Sequence, residues 1–200
     1  MKEKLKNYWT KKTIWNKLSD LIFIVFIIAL LFPQGRMAIG GFVNNIKAQV
    51  FNPSKLAEEQ LVADGDFNWT LKGVDENVLN LKDFKGKILF INLWATWCPP
   101  CVGEMPEIQD LYDTFKAEDD IQFLMISNEN TAKISRFVQS KNYNFPVFST
   151  QSQSPASFAT NSIPTTFVVS KSGKIVIKEI GAANWGGKKM KKMMRDLLSE

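Results

Sequence analysis

Two hundred residues allow one domain of ordinary size, about 140 residues, plus an attachment segment. A hydrophobic content of 45% suffices for a packed core and excludes a disordered chain. The net charge of +5 calls for no nucleic-acid partner, because residues 1–20 carry +4 of it and residues 21–200 only +1.

The basic tail holds Lys2, Lys4, Lys6, Lys11, Lys12 and Lys17 against Glu3 and Asp20. It leads into twelve unbroken apolar residues, 21–32, stopped by Pro33. As a helix these cover about 18 Å; counted back to Ile14 the span is about 28 Å, against a hydrocarbon core of about 30 Å. Lys17 can snorkel toward the headgroups, and Trp9 and Trp15 suit an interface. The lysine-rich flank predicts a cytoplasmic N-terminus, with everything after Pro33 exported. A cleaved signal peptide is the alternative, since its apolar region is also short. No clear pair of small residues follows Phe32 closely, Ala48 being distant, and no cysteine nearby could accept a lipid. The reading is therefore a cytoplasmic tail at 1–13 and a single-pass transmembrane signal anchor at 14–32 in the cytoplasmic membrane. A linker follows at 33–60 and an extracytoplasmic, or periplasmic, domain at 61–200. Gly35, Gly40, Gly41 and Pro53 punctuate the linker, and 54–62 has room for one or two helical turns.

Within the domain, alternating runs at 67–73 and 78–81 predict a hairpin. Residues 88–93 form an apolar strand and 100–115 a helix with apolar residues at helical spacing. A second fully buried strand is expected at 121–127, as parallel pairing requires. Then come a helix at 131–140 carrying Ile134, Phe137 and Val138 on one side, a short strand at 146–149 and a short helix at 155–160. Strands at 166–170 and 174–180 form an antiparallel hairpin across Ser172-Gly173, and a helix closes the chain at 187–198. This order predicts an α/β fold, a central mixed sheet with helices on both faces. Phe67, Trp69, Phe84, Phe90 and Trp94 are expected in the core, and the lysines at 188, 189, 191 and 192 on a solvated face.

The chemistry lies in Trp97-Cys98-Pro99-Pro100-Cys101, which holds both cysteines of the chain. The pair sits where the 88–93 strand ends and the next helix begins. Two intervening residues at a helix start bring the sulfurs within bonding range. The helix terminus offers free N–H groups and partial positive charge to the outer sulfur. Such settings depress a thiol pKa to about 3.5–7.5. A structural zinc site needs about four ligands, and the chain has no histidine and no third cysteine. Haem attachment needs a histidine after the second cysteine, where Val102 stands. A purely structural disulfide over so short a loop would restrain the unfolded chain weakly. No metal and no cofactor is expected.

The segment Asn92-Leu93-Trp94-Ala95-Thr96-Trp97-Cys98-Pro99-Pro100-Cys101, with Glu104 and Pro106 after it, resembles the membrane-anchored thiol–disulfide oxidoreductases of the TlpA/ResA type, extracytoplasmic members of the thioredoxin superfamily. Ile163-Pro164-Thr165-Thr166-Phe167 matches the loop where that superfamily keeps a cis-proline, and the likeness covers about residues 61–200. It implies a thioredoxin-like fold with a central insertion at 131–149, a cis bond before Pro164, and a substrate-facing turn of Ile163, Pro164 and Thr165. It also implies reduction of disulfides in exported proteins, such as cytochrome c precursors, with a membrane thiol–disulfide protein as electron donor.

Cys98, at the turn, is the expected nucleophile with its sulfur facing solvent; Cys101, one turn inward, resolves the mixed disulfide. Pro99 and Pro100 both start the helix and tune the redox poise. The superfamily's cytosolic thioredoxins carry a buried Asp where this chain has Asn92, which cannot ionise. Glu104, three residues after Cys101, is placed to act as the base instead, partial burial raising its pKa; the alternative is a solvated helix carboxylate. Trp97 is expected to cover the disulfide. Two other functions share the fold. A thiol peroxidase would want an arginine near Cys98, and none lies between Arg36 and Arg136; a copper-delivery module would want wider cysteine spacing and a histidine. Whether the pair serves as reductant or oxidant is open in the sequence.

Overall fold

The computed structural model describes residues 14–31, 52–150 and 152–200. The chain divides into two compact units, Met1–Gly40 and Gly41–Glu200. The described part of the first is one helix, α1 (Ile14–Leu31). It exposes large apolar side chains, among them Trp15, Leu21, Ile22, Phe23, Ile24 and Val25. Among the described residues no helix is long and apolar enough to cross a membrane. The basic tail, Phe32 and most of the predicted linker lie outside the described residues.

Among the described residues of the second unit the first element is β1 (Gln60–Leu61), where one or two helical turns were expected, and there is no helix at 54–62. The end of the predicted linker is part of the domain. Pro53 is buried, the Leu56 N–H donates to the Val176 carbonyl at 2.8 Å, and Val62 is core. β2 (Thr70–Gly73) and β3 (Val78–Asn80) make the predicted hairpin, flanked by 3-10 turns at Asp64–Phe67 and Leu81–Phe84 that the sequence pattern did not signal. β4 (Ile88–Leu93), α2 (Pro99–Phe115), β5 (Ile121–Ser127), α3 (Thr131–Ser140) and β6 (Val147–Ser149) follow. β7 (Thr165–Val169), β8 (Lys174–Ile180) and α4 (Lys188–Leu198) complete the domain.

Among the described residues eight strands form one mixed sheet in the order β1-β8-β7-β4-β5-β6-β2-β3. β4, β5 and β6 run parallel, and the remaining pairings are antiparallel. Alternation along β4 feeds two cores: Ile88 and Phe90 face one side, Leu89, Ile91 and Leu93 the other.

Helices on both faces were expected; among the described residues only 3-10 turns lie on the second face. α2, α3 and α4 all bury their apolar stripes in the same core, through Met105 and Ile108, Ile134 and Val138, and Met190 and Met194. The opposite core is closed by Val62, Phe67, Trp69, Leu81 and Phe158 from irregular segments and 3-10 turns. The reason is topological. The β4–α2–β5 and β5–α3–β6 crossovers step the same way across the sheet, and right-handed connections then put both helices on one side. The segment 155–160, expected as a helix, is only the 3-10 turn Ala156–Phe158.

Candidate active site

The cysteine pair lies where β4 delivers the chain to the N-terminus of α2. Cys98 is the N-cap, with extended backbone (φ −93°, ψ 104°), and its Sγ accepts the Cys101 N–H at 3.3 Å. Pro99 and Pro100 occupy the first helical positions, where a missing N–H costs nothing. Cys98 and Cys101 are joined as a disulfide, their Cα atoms 5.3 Å apart. Contrary to the expectation of a solvent-facing sulfur, Cys98 is 3% exposed and Cys101 fully buried. Trp97, expected to cover the pair, stands 63% exposed. With Trp69, Trp94, Asn128, Ser154 and Ile163 it lines a cavity of about 520 Å³ beside the disulfide.

The peptide bond before Pro164 is cis, as the resemblance implies. The Ile163 carbonyl approaches Cys98 Sγ to 3.8 Å. Ile163 is half-buried, while Pro164 is covered and its carbonyl accepts the Gly181 N–H at 2.8 Å. Thr165 is fully buried, its hydroxyl donating to the Ser162 carbonyl at 2.7 Å and meeting Thr160 Oγ1 at 2.9 Å. That side chain fastens the turn from within, so only the backbone of the turn and Ile163 are left to face a partner.

Glu104 is fully buried, where partial burial was expected. Asn92 Nδ2 donates to its Oε1 at 2.8 Å, and the Trp185 indole N–H donates to its Oε2 at 2.8 Å. The Ala183 N–H reaches Oε2 at 3.3 Å. Burial pushes this carboxyl up to about 8; the Trp185, Asn92 and Ala183 donors pull the other way, and the Glu179 carboxylate adds to the rise. A group so placed exchanges a proton near neutral pH, which a solvated helix carboxylate does not. Asn92 also donates to Thr166 Oγ1 at 2.7 Å, while its own oxygen is buried without a hydrogen-bond partner.

Two features gave no sequence signal. Trp185, 81 residues from Glu104, reads as one aromatic residue in a glycine-rich loop, and only the fold brings them together. Glu129 follows β5; its carboxylate accepts the Thr96 N–H at 2.6 Å and hydroxyl at 2.9 Å and pairs with Lys133 at 2.5 Å. Burial alone would raise its pKa, but the Lys133 and Thr96 contacts hold it below the ordinary value. Glu129 therefore fixes the loop that presents Trp97 and Cys98. Arg136, distant in sequence, lines a cleft with Thr96, so sequence separation alone does not remove arginine from this neighbourhood. Among the described residues no group of His, Cys, Asp and Glu could hold a metal.

A cysteine pair closed at a helix start, beside a cis-proline turn at the end of the neighbouring strand of a mixed sheet, defines a thioredoxin-like domain. The fold is similar to that of a thiol:disulfide interchange protein of the thioredoxin family from Chlorobium tepidum, at a TM-score of 0.53 and 22% identity over 72% of this chain and 95% of that one. Residues 64–178 match the AhpC/TSA family, and the chain belongs to it. Its relatives include the thiol-disulfide oxidoreductase ResA of Bacillus cereus, 32% identical over 115 residues, which are 57% of this chain and 66% of the relative. ResA of Bacillus subtilis is 30% identical over 130 residues, 64% of this chain and 72% of the relative. The chain thus spans just under two thirds of the first of these relatives.

Proposed function

We propose that this chain is an extracytoplasmic thiol–disulfide oxidoreductase that passes electrons from its reduced Cys98–Cys101 pair to disulfides in exported proteins, cytochrome c precursors among them. The observation that carries the reading is the pairing of a disulfide at a helix start with a buried acid on the next helical turn. Cys98 thiolate attacks a substrate disulfide and releases one substrate thiolate. Glu104 carboxylate takes the proton from Cys101, whose sulfur attacks Cys98 Sγ and releases the second. Two electrons reach the substrate, and the protein is left with the Cys98–Cys101 bond. A membrane thiol–disulfide protein then restores the dithiol. The Ile163 backbone, beside Cys98, offers an extended substrate segment hydrogen-bonding groups, and the adjoining uncharged cavity takes its side chains.

The anchoring part of the proposal rests on the lysine-rich tail and on the apolar side chains that α1 exposes, which need a nonpolar surrounding. Full-length protein is expected to stay with membranes through an alkaline carbonate wash, and release of most of it would end that part of the reading.

The substrate assignment is tested by a Cys101→Ser variant expressed in cells, which cannot resolve its mixed disulfides. Exported proteins should remain linked to Cys98 and be released by reductant. A variant that captures no exported protein, yet consumes peroxide as fast as the wild type, would replace this reading with a thiol peroxidase.

A further inference from the structure

Glu104 is held from two sides. Asn92 of β4 donates to one oxygen; the other faces the loop between β8 and α4, which supplies both the Ala183 N–H and the Trp185 indole N–H. Trp185 has no exposed surface, and its ring meets Phe90 edge-on, with centroids 5.2 Å apart. A buried indole needs an acceptor, and this one has been given a carboxyl oxygen. The loop lies tight against α2. A Cβ at Gly186 would come within 2.6 Å of Glu107 Oε2 and 3.2 Å of the Glu107 carbonyl, so only glycine fits without a shift. The Trp185 N–H to Ala183 carbonyl contact of 3.1 Å folds the loop back on itself, aiming both donors the same way.

We propose that Trp185 is a positioning residue of the redox site. Its indole N–H fixes the Glu104 carboxyl on the helix turn next to Cys101, and the loop after β8 thereby governs when that acid gives up its proton. The inference rests on the reading of Glu104 as the base for Cys101. Charged groups near the acid are few. Glu179 bears on it from β8 and opposes ionisation, whereas β4 and β7 present the uncharged Asn92 and Thr166. α4 turns Met190, Met193 and Met194 to this core. The indole N–H favours the carboxylate, so its loss makes ionisation harder.

Two measurements on the full-length chain in detergent test this. In the wild type, the Trp185 indole ¹H–¹⁵N resonance should titrate with Glu104 and become pH-independent in Glu104→Gln. In Trp185→Phe, which keeps an aromatic ring and removes the donor, the pH profile of resolution by Cys101 should move up by roughly one pH unit. Below the inflection the rate should fall up to about tenfold, and a Trp185→Phe/Glu104→Gln double variant should match Glu104→Gln alone. A flat indole titration, or an unmoved profile in Trp185→Phe while Glu104→Gln still loses the inflection, overturns the role of Trp185 and leaves that of Glu104 standing. A profile that Glu104→Gln itself does not change removes the base reading and this inference together.

Discussion

Glu104→Gln should make the folded protein more stable at neutral pH, although three hydrogen-bond donors surround the carboxyl it replaces. The carboxyl moves from an ordinary value of 4.5 to about 8 on folding. Between those values the folded chain holds a proton that the unfolded chain has released. Stability is therefore fully present below about 4.5 and is lost as pH rises through about 8. A pKa change of one corresponds to about 1.4 kcal/mol, so wild type at pH 7 should be about 3 kcal/mol less stable than at pH 4.5 through this group alone. The uncharged amide of the Glu104→Gln variant carries no such dependence. A turn of the Asn92 amide would give its unpartnered oxygen the new NH₂ as a donor. Urea unfolding at pH 5 and pH 8 should show nearly equal stabilities at the lower pH and a clear gain for the variant at the higher. Wild-type stability that is flat across this range would show that Glu104 is not buried as a neutral acid. Turnover should fall in the same variant, so the acid is kept for chemistry at a cost in stability.

The second large effect separates the two sulfurs. Cys98→Ser should reduce exchange with a small disulfide to the uncatalysed rate, because Cys101 is fully buried and Cys98 is the sulfur that meets the Ile163 carbonyl at the turn. Cys101→Ser should keep the first half of the cycle and stop as a stable mixed disulfide. Rapid-mixing assays with a chromogenic disulfide distinguish these outcomes. If the residual activities were reversed, the assignment of nucleophile and resolving thiol would have to be exchanged.

Much of the fold could be read from residues because local chemistry decided it. β4, β5, α3 and β8 have the expected limits, being unbroken apolar runs or a periodic stretch with clear ends. Asn130, for instance, caps α3 by accepting the Lys133 N–H at 2.8 Å. The side of the sheet a helix takes is not local. It follows from the direction of each crossover, which is why the expectation of helices on both faces failed. The 155–160 stretch was short enough for a 3-10 turn to satisfy its few backbone groups. In the site, the cysteine pair, the two prolines and Glu104 announced themselves by spacing from a strand end. The depth of Cys98 and of Glu104 did not, since burial depends on what the β8–α4 loop and the cis-proline turn bring over them. Trp185 and Glu129 act through contacts 81 and 33 residues away in sequence, and no local pattern encodes such a meeting.

The most direct measurement is an equilibrium titration of the full-length protein against glutathione buffers at neutral pH, with free thiols counted by alkylation and mass. Cys98 and Cys101 should pass together between two free thiols and one intramolecular bond, following a single two-electron transition. Two thiols that stay unreacted across the whole range, or that oxidise independently of one another, would contradict the claim that this pair is the working centre of the protein.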